Sequence, residues 1–284
     1  MVEPSKRKQI SIYLKDTFKS SYKLICETMS ISRSTVYYES KIDDEQIIAK
    51  LNIMAELLPT RGFDEYFYRI REEGYKWNRK RVLRVYRELG LVRRKKPRKR
   101  LPEELRKPLE QSSGLNEVWS MDFMSDSLID GRTFRTLNVI DDYNRECLLG
   151  KGSITFPSLR VIRELEELIA INGKPKSIRT DNGPEFISKE YKEWCAQKGI
   201  QRIYSNPGRP MENGYIERFN RTFREDILDA YLFSSIRQFN VLAEKIIEDY
   251  NTKHPHKSLG RKSPRKFAAR PQPFLGFIKP RKGC

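Results

Sequence analysis

The pattern of residues 117–205 constrains the fold of this 284-residue chain more than any other stretch. Three segments with strand character come first: "EVWSMDFM" (117–124), "GRTFRTLNVIDDY" (131–143) and "ECLLGKGS" (146–153). The Asp130–Gly131 turn joins the first two as a hairpin. Helical and strand patterns then alternate as a helix over 158–171, the strand "SIRTD" (177–181), a helix over 188–199 and a strand over 200–205. This order predicts an α/β fold with a five-stranded mixed sheet.

The order of these segments is also that of the ribonuclease-H-like arrangement, in which the first and fourth strands are neighbours. Asp122 lies in the first strand, and Asp181 ends the fourth, just before an Asn-Gly-Pro turn. Both carboxylates can therefore reach one spot. Glu217 offers a third carboxylate from the first turn of a helix predicted over 215–230, with 35 residues (182–216) between it and Asp181. A second long helix is expected over 235–251.

Three carboxylates that converge without His or Cys indicate a hard cation with oxygen ligands, Mg²⁺ or Mn²⁺. Two such ions about 4 Å apart can activate a water or a 3′-hydroxyl and stabilise the leaving oxygen of a phosphodiester. The chain has only two histidines, and its four cysteines are scattered, which excludes a His-rich site and argues against a Cys-based zinc site or disulfides. We therefore predict two cations per active site, held by Asp122, Asp181 and Glu217.

The net charge of +18 indicates a polyanionic partner, most often nucleic acid, although a basic but inert surface is the alternative. The excess of basic residues is larger in the N-terminal 113 residues. No run of about 18 apolar residues predicts a membrane span, and "MVEPSKRKQI" lacks the apolar core of a secretory signal. The expectation is a cytoplasmic, DNA-associated protein with no membrane partner.

The N-terminal part predicts small all-α units with the character of helix-turn-helix motifs. Residues 1–40 hold two short helices separated at Met29–Ser30, with Ser32 as the expected N-cap of the second. Residues 43–92 predict a helical DNA-binding domain with helices over 43–58, 63–74 and 78–90. The third helix carries a basic face that suits a major groove, with a solvated charged surface as the alternative. We predict DNA contacts at Arg79, Lys80, Arg81 and Arg84.

A basic, proline-containing linker is expected over residues 93–113, where an extended chain can lie along phosphates. Its opening residues Arg93, Arg94, Lys95 and Lys96 are further predicted DNA contacts. The catalytic core is expected over 114–270, and residues 271–284 form a basic C-terminal tail.

Several sequence segments together resemble one protein family, the DDE transposases that share a core with retroviral integrases. They are "WSMDF", "VIDDYNR", "RTDNGPEF", "NGYIERFNRTFR" and "HPHKSLG". The similarity covers about residues 43–270 and is greatest to the second-frame product of two-frame bacterial insertion sequences. It implies an integrase catalytic core and the triad Asp122, Asp181 and Glu217. Arg224 matches the basic position of that pattern, and Arg221 lies one turn after Glu217.

The resemblance also implies partners and a reaction. The protein would bind the terminal repeats of its element and target DNA, as a homo-oligomer on DNA in the bacterial nucleoid. It would cleave phosphodiester bonds and join a 3′-hydroxyl end to new DNA. The first-frame product of the same element is a further possible partner. The retroviral zinc-binding module has no counterpart here, so the helical units take its place.

Two other functions stay open from the residues alone, a nuclease of ribonuclease H type and a DNA-binding regulator without activity. Among the remaining acidic residues, Asp141 and Asp142 are more typical of a turn than of catalysis. Glu185, which follows the Asn-Gly-Pro turn, is a weaker candidate for a supporting or DNA-end role.

Overall fold

The structure, a computed structural model, describes residues 4–38, 43–92, 112–205 and 213–269. The chain divides into two units, residues 1–47 and 48–284. Arg93, Arg94, Lys95 and Lys96, with most of the predicted linker and the C-terminal tail, lie outside the described residues.

The first unit consists of short helices. They are α1 (Pro4–Phe18), α2 (Tyr22–Thr28) and α3 (Arg33–Tyr37). Ser32 occupies the expected N-cap position of α3, but its hydroxyl lies 2.7 Å from that of Ser34 and makes no cap bond to the helix. Ile25, Cys26 and Val36 supply buried apolar groups in this unit. The helix–turn–helix order expected for residues 1–40 is present, and its DNA role stays a prediction.

Three helices follow, close to the predicted bounds. They are α4 (Glu45–Leu57), whose first turn contains the boundary between the units, α5 (Phe63–Glu72) and α6 (Arg79–Glu88). The side chain of Asn78 caps α6 by accepting a hydrogen bond from the Lys80 N–H at 2.8 Å. Because Val82, Val85 and Tyr86 are buried, the basic residues of α6 turn toward its outer side.

The sheet has five strands in the order β3-β2-β1-β4-β5. They are β1 (Val118–Ser127), β2 (Thr133–Asp141), β3 (Cys147–Ser153), β4 (Ser177–Thr180) and β5 (Gln201–Tyr204). The first three pair antiparallel, while β4 pairs parallel with both β1 and β5. This confirms the predicted mixed sheet and the adjacency of β1 and β4.

Helices cover both faces of the sheet. They are α7 (Ser158–Asn172), α8 (Pro184–Ile187), α9 (Lys189–Lys198), α10 (Gly214–Phe223), α11 (Ile236–Lys253) and α12 (Pro264–Ala268). The helix predicted over 215–230 is present as α10 followed by one π turn, Arg224–Leu228. A short 3₁₀ turn occupies Lys257–Leu259.

Alternation along the strands builds two apolar cores, because successive strand residues point to opposite faces. On β1, Trp119 and Met121 join the core under α7 and α9. Met124 joins the core under α10 and α11, together with Phe134 and Ile140 of β2. By the same alternation, Asp122 belongs to the α10 face.

Buried ion pairs tie α5 to α11 within the second unit. The Arg69 guanidinium contacts Glu65 at 2.8 Å and Asp249 of α11 at 3.0 and 2.6 Å. Nδ1 of His254, at the end of α11, lies 3.1 Å from the Glu65 carboxylate. The helices of residues 48–92 and the sheet therefore fall into one compact unit, and separate domains divided at a linker stay a prediction.

Candidate active site

The strand register brings the two predicted aspartates to the same level of the sheet. β1 and β4 pair as Val118 with Ser177 and Ser120 with Arg179. Asp122 and Asp181 each stand two residues beyond the last pair, on adjacent parallel strands. The turn after Thr180 ends β4, so Asp181 lies at its carboxyl tip and is exposed, whereas Asp122 is half-buried.

A chain of amides holds Asp122 against α10. One carboxylate oxygen, Oδ2, accepts a hydrogen bond from Nδ2 of Asn220 at 2.9 Å. Oδ1 of Asn220 accepts in turn from Nδ2 of Asn138 at 2.7 Å. Asn138 is also the residue that pairs with Asp122 across β1 and β2. The other oxygen, Oδ1, accepts from the Phe123 N–H at 2.8 Å, so both oxygens of Asp122 are oriented.

The electrostatics of Asp122 link all three predicted carboxylates. Burial is the largest cause that raises the pKa of Asp122 to about 6, and the negative charges of Asp181 and Glu217 contribute to the same rise. The hydrogen bonds from the Phe123 N–H and Asn220 act in the opposite direction. A carboxyl that two neighbouring carboxylates make harder to ionise is stabilised as an anion by a cation placed among them.

Asp122 should make the stability of the cation-free protein depend on pH. Its pKa is about 6 when folded against 3.8 ordinarily, so its contribution to stability is full below pH 4 and is lost as the pH rises through 6. Between those limits, wild type should lose on the order of 2 to 3 kcal/mol relative to Asp122→Asn, which cannot ionise. Urea unfolding in a chelator at several pH values measures the difference. A constant difference from pH 4 to 8 contradicts the prediction.

Glu217 and Asp181 are the other two predicted carboxylates. Glu217 is exposed in the first turn of α10, one turn before Asn220, as predicted. Burial raises the pKa of Glu217, and the nearby Arg221 lowers it. Oδ1 of Asp181 accepts from the Gly183 N–H at 3.0 Å. In the described part of the chain no three His, Cys, Asp or Glu side chains lie close enough together to hold a metal ion.

The donor set nevertheless suits a hard cation. Asp122, Asp181 and Glu217 supply carboxylate oxygens only, which Mg²⁺ and Mn²⁺ prefer. Asp181 and Glu217 are also exposed, so both remain accessible from solvent.

The arginines predicted to contact DNA near the site have partners within the protein. Nη2 of Arg224 donates to the Ser125 carbonyl of β1 at 3.2 Å, and its Nη1 lies 3.9 Å from Asp229. Arg221 is exposed and interacts electrostatically with Glu217. Arg224 therefore holds the end of α10 on β1, a role that its sequence position did not indicate.

Some of the basic residues of α6 form ion pairs within the protein, and others are exposed to solvent. Arg79 pairs with Asp64 at 2.6 Å, and its guanidinium lies 4.8 Å from the Phe63 ring centroid. Arg84 pairs with Glu88 at 3.0 Å. Lys80 is exposed and Arg81 half-buried. Among the predicted DNA contacts on α6, Arg79 thus contacts both an acidic and an aromatic residue of α5.

Asp141 and Asp142 serve the turn after β2. Asp141 is buried and accepts from the N–H groups of Asn116 and Tyr143 at 2.8 and 2.9 Å. Asp142 is buried and accepts from Arg179 at 2.5 Å. Both carboxylates have structural partners, in line with the turn role expected for them.

Asn220 is the site residue that the sequence analysis missed. It lies between the buried Phe219 and Phe223 on the inner face of α10. A polar residue among apolar residues at helical spacing was the available signal, since a buried amide requires a partner.

The five-stranded mixed sheet, with one carboxylate within β1 and another just after the adjacent β4, defines a ribonuclease-H-like core. Two family profiles, both described as "Integrase core domain", match residues 113–210 and 198–264. Within the described ranges, every helix is too short or too polar to span a bilayer.

Similar proteins come from bacterial insertion elements. An uncharacterized 31.7 kDa protein of insertion element IS407 from Burkholderia multivorans is 33% identical over 260 residues, 90% of this chain and 94% of that protein. An uncharacterized 39.2 kDa protein of insertion element IS476 from Xanthomonas euvesicatoria is 35% identical over 225 residues, 79% of this chain and 65% of that protein. A solved intasome chain of simian T-cell lymphotropic virus is 19% identical with a TM-score of 0.48, covering 84% of this chain and 80% of that one.

The chain therefore belongs to the insertion-element transposases with a retroviral-integrase-like core, a family of polynucleotidyl transferases.

Proposed function

We propose that Asp122, Asp181 and Glu217 are the catalytic carboxylates of this transposase and that they bind two divalent cations, Mg²⁺ or Mn²⁺. The observation that carries the proposal is the strand register, which sets Asp122 and Asp181 at one level of the adjacent strands β1 and β4. The raised pKa of Asp122, to which burial and the charges of both other residues contribute, supports it.

Each residue has a distinct part in the proposed site. Asp122 is oriented by Asn220 and the Phe123 N–H, so it is the fixed ligand. Asp181 is oriented by the Gly183 N–H, and Glu217 closes the site from the helix. When bound, the cations would activate a water or 3′-hydroxyl and stabilise the leaving oxygen of the scissile phosphodiester.

We propose that the substrate is DNA, at the ends of the element and at a target. The net charge of +18 supports a polyanionic substrate. Because joining an element end to a target requires two duplexes in one assembly, the acting form is proposed to be a homo-oligomer on DNA. The first-frame product is a proposed additional partner, and the bacterial nucleoid the proposed location.

Helix α6 is proposed to contact element-end DNA through Lys80 and Arg84, with Arg81 beside them. Replacing Lys80 by Ala should weaken binding uniformly across DNA sequences and reduce the salt dependence by about 0.9 in the log–log slope if one phosphate contact is lost. Lys192→Ala, on α9 of the core, is the matched surface control. Binding titrations at several salt concentrations measure both slopes. An unchanged slope for Lys80→Ala removes α6 from the interface.

The reaction itself is tested with duplexes made from the DNA that flanks the coding region. Purified protein should nick such duplexes and join their 3′-hydroxyl ends to a second DNA with Mg²⁺ or Mn²⁺, and a chelator should stop it. Cleavage of RNA in RNA–DNA hybrids without joining would instead indicate the ribonuclease H type of nuclease. Tight binding with neither product, in either metal, would indicate a regulator without activity.

A further inference from the structure

Asp181 needs support beyond the sheet. β4 is a strand of four residues, and the last pair it makes with β1 is Ser120 with Arg179. Asp181 therefore stands past the end of the ladder, on the turn that leads into α8. β4 still pairs with β5 as far as Thr180, so side chains that join this turn to β1 are a second means of holding Asp181 near Asp122.

An ion pair makes one such junction. Arg135 of β2 lies opposite Ser125 of β1, and its guanidinium forms an ion pair with Glu185, four residues after Asp181. The same guanidinium lies 4.0 Å from the ring centroid of Phe123, the residue that follows Asp122. Glu185 is only 13% exposed, so water screens the pair weakly on that side.

An aromatic stack makes a second junction beside the first. The rings of Phe123 and Phe186 are stacked with centroids 5.2 Å apart and planes 12° apart. Phe186 is fully buried. Phe123, which follows Asp122, is thus joined to the segment after Asp181 in two ways. Its ring stacks on Phe186, and it contacts the Arg135 guanidinium that pairs with Glu185.

Gly183 lies close to the side chains of both Asp181 and Glu185. A Cβ at this position would lie 3.0 Å from Oδ1 of Asp181 and 3.3 Å from Oε2 of Glu185. The φ of Gly183 is −58°, which any residue adopts. A side chain at this position would therefore push the Asp181 and Glu185 carboxylates outward by a few tenths of an ångström.

We propose that Arg135 and Glu185 are positioning residues of the phosphoryl-transfer site. Their ion pair fixes the turn of Asp181 against the strand of Asp122. This inference rests on the proposed roles of Asp122 and Asp181. A pair that only stabilises the fold is the competing explanation.

The test compares Glu185→Gln with Glu164→Gln. Glu164 is a matched control because it is 5% exposed and pairs with Lys151 at 2.6 Å, on the sheet face under α7. Measurements are the melting temperature, the turnover of strand transfer, and the Mn²⁺ affinity by calorimetry. A displacement of about 1 Å in a reacting group can cost on the order of 100-fold in rate.

We expect Glu185→Gln to lower turnover at least about tenfold and to weaken Mn²⁺ binding severalfold, with a melting temperature no lower than that of Glu164→Gln. Arg135→Gln with Glu185→Gln should be no worse than the poorer single variant, because both remove one junction. Gly183→Ala should act alike, by displacing the two carboxylates without removing charge. Turnover and Mn²⁺ affinity for Glu185→Gln equal to those of Glu164→Gln overturn the proposal.

Asp181→Asn, assayed in parallel, separates this inference from the proposed triad. If Asp181→Asn is inactive while Glu185→Gln matches the control, the triad stands and the positioning pair fails. If Asp181→Asn is active, the triad fails and the positioning pair fails with it.

Discussion

Replacing Glu217 by Gln is expected to abolish cleavage and strand transfer while leaving DNA binding near wild type. The side chain keeps its shape and its place in the first turn of α10, but it loses the charge that would hold a cation. Cation stabilisation of a phosphoryl-transfer transition state is worth several kcal/mol, and about 4 kcal/mol corresponds to about 10³-fold in rate. Asp122→Asn and Asp181→Asn should behave alike.

The control is Glu225→Gln, which removes the same charge from the π turn that continues α10. That variant should retain near wild-type turnover. Supercoiled donor plasmid with Mg²⁺ gives the cleavage rates, and a gel shift gives the binding. Cleavage by Glu217→Gln at the rate of Glu225→Gln would show that the triad is misassigned.

Replacing Arg69 by Met is expected to cause the largest loss of stability. Arg69 is buried and joins Glu65 of α5 to Asp249 of α11. Its removal leaves Glu65 with His254 and Asp249 with Lys253 as remaining partners. Breaking a buried ion pair typically costs 3–5 kcal/mol, and because Asp249 is 31% exposed we expect a loss at the lower end, about 3 kcal/mol. The effect should extend to the whole unit, because the pair joins the helical segment to the core.

Arg71→Met provides the matched control on the same helix. Arg71 is exposed, so its replacement should change the free energy of unfolding by no more than about 0.5 kcal/mol. Urea denaturation of both variants gives the comparison. Equal midpoints would show that the contacts of Arg69 contribute nothing to holding α5 on α11.

Local sequence patterns were enough to predict most of the helices and strands and the order of the strands in the sheet. Alternation in "WSMDF" and the Asp130–Gly131 turn predicted β1 and β2, and the order of helices and strands predicted the neighbours β1 and β4. Because β1 and β4 are neighbours, the sequence alone predicts that Asp122 and Asp181 lie close together. The position of Glu217 in the first turn of a helix followed from the same periodicity.

Such patterns could not predict contacts between residues that are distant in the chain. The bond from Asn220 to Asp122 spans 98 positions, and that from Arg69 to Asp249 spans 180. Arg79 shows a second limit of such patterns, since its contacts with Phe63 and Asp64 could not be read from the basic face, and its DNA contact stays a prediction. A charge pattern in the sequence shows which basic residues a helix carries, but it does not show which of them pair with other residues of the protein.

The π turn after α10 was also missed. A period of 3.6 residues fits the whole of 215–230, and one extra residue in a turn changes it little. The turn is held from outside, because Asp226 accepts a hydrogen bond from the Thr60 hydroxyl at 2.8 Å and pairs with Arg61. Tertiary contacts thus decide the local geometry here.

The central claim is that three carboxylates on β1, β4 and α10 hold divalent cations. Crystals of the protein soaked in Mn²⁺ and measured for anomalous scattering test it without relying on activity. We predict anomalous peaks at the site formed by Asp122, Asp181 and Glu217, and their absence from Asp122→Asn. Well-diffracting crystals in saturating Mn²⁺ with no peak at these carboxylates, or with an unchanged peak in Asp122→Asn, would contradict the account.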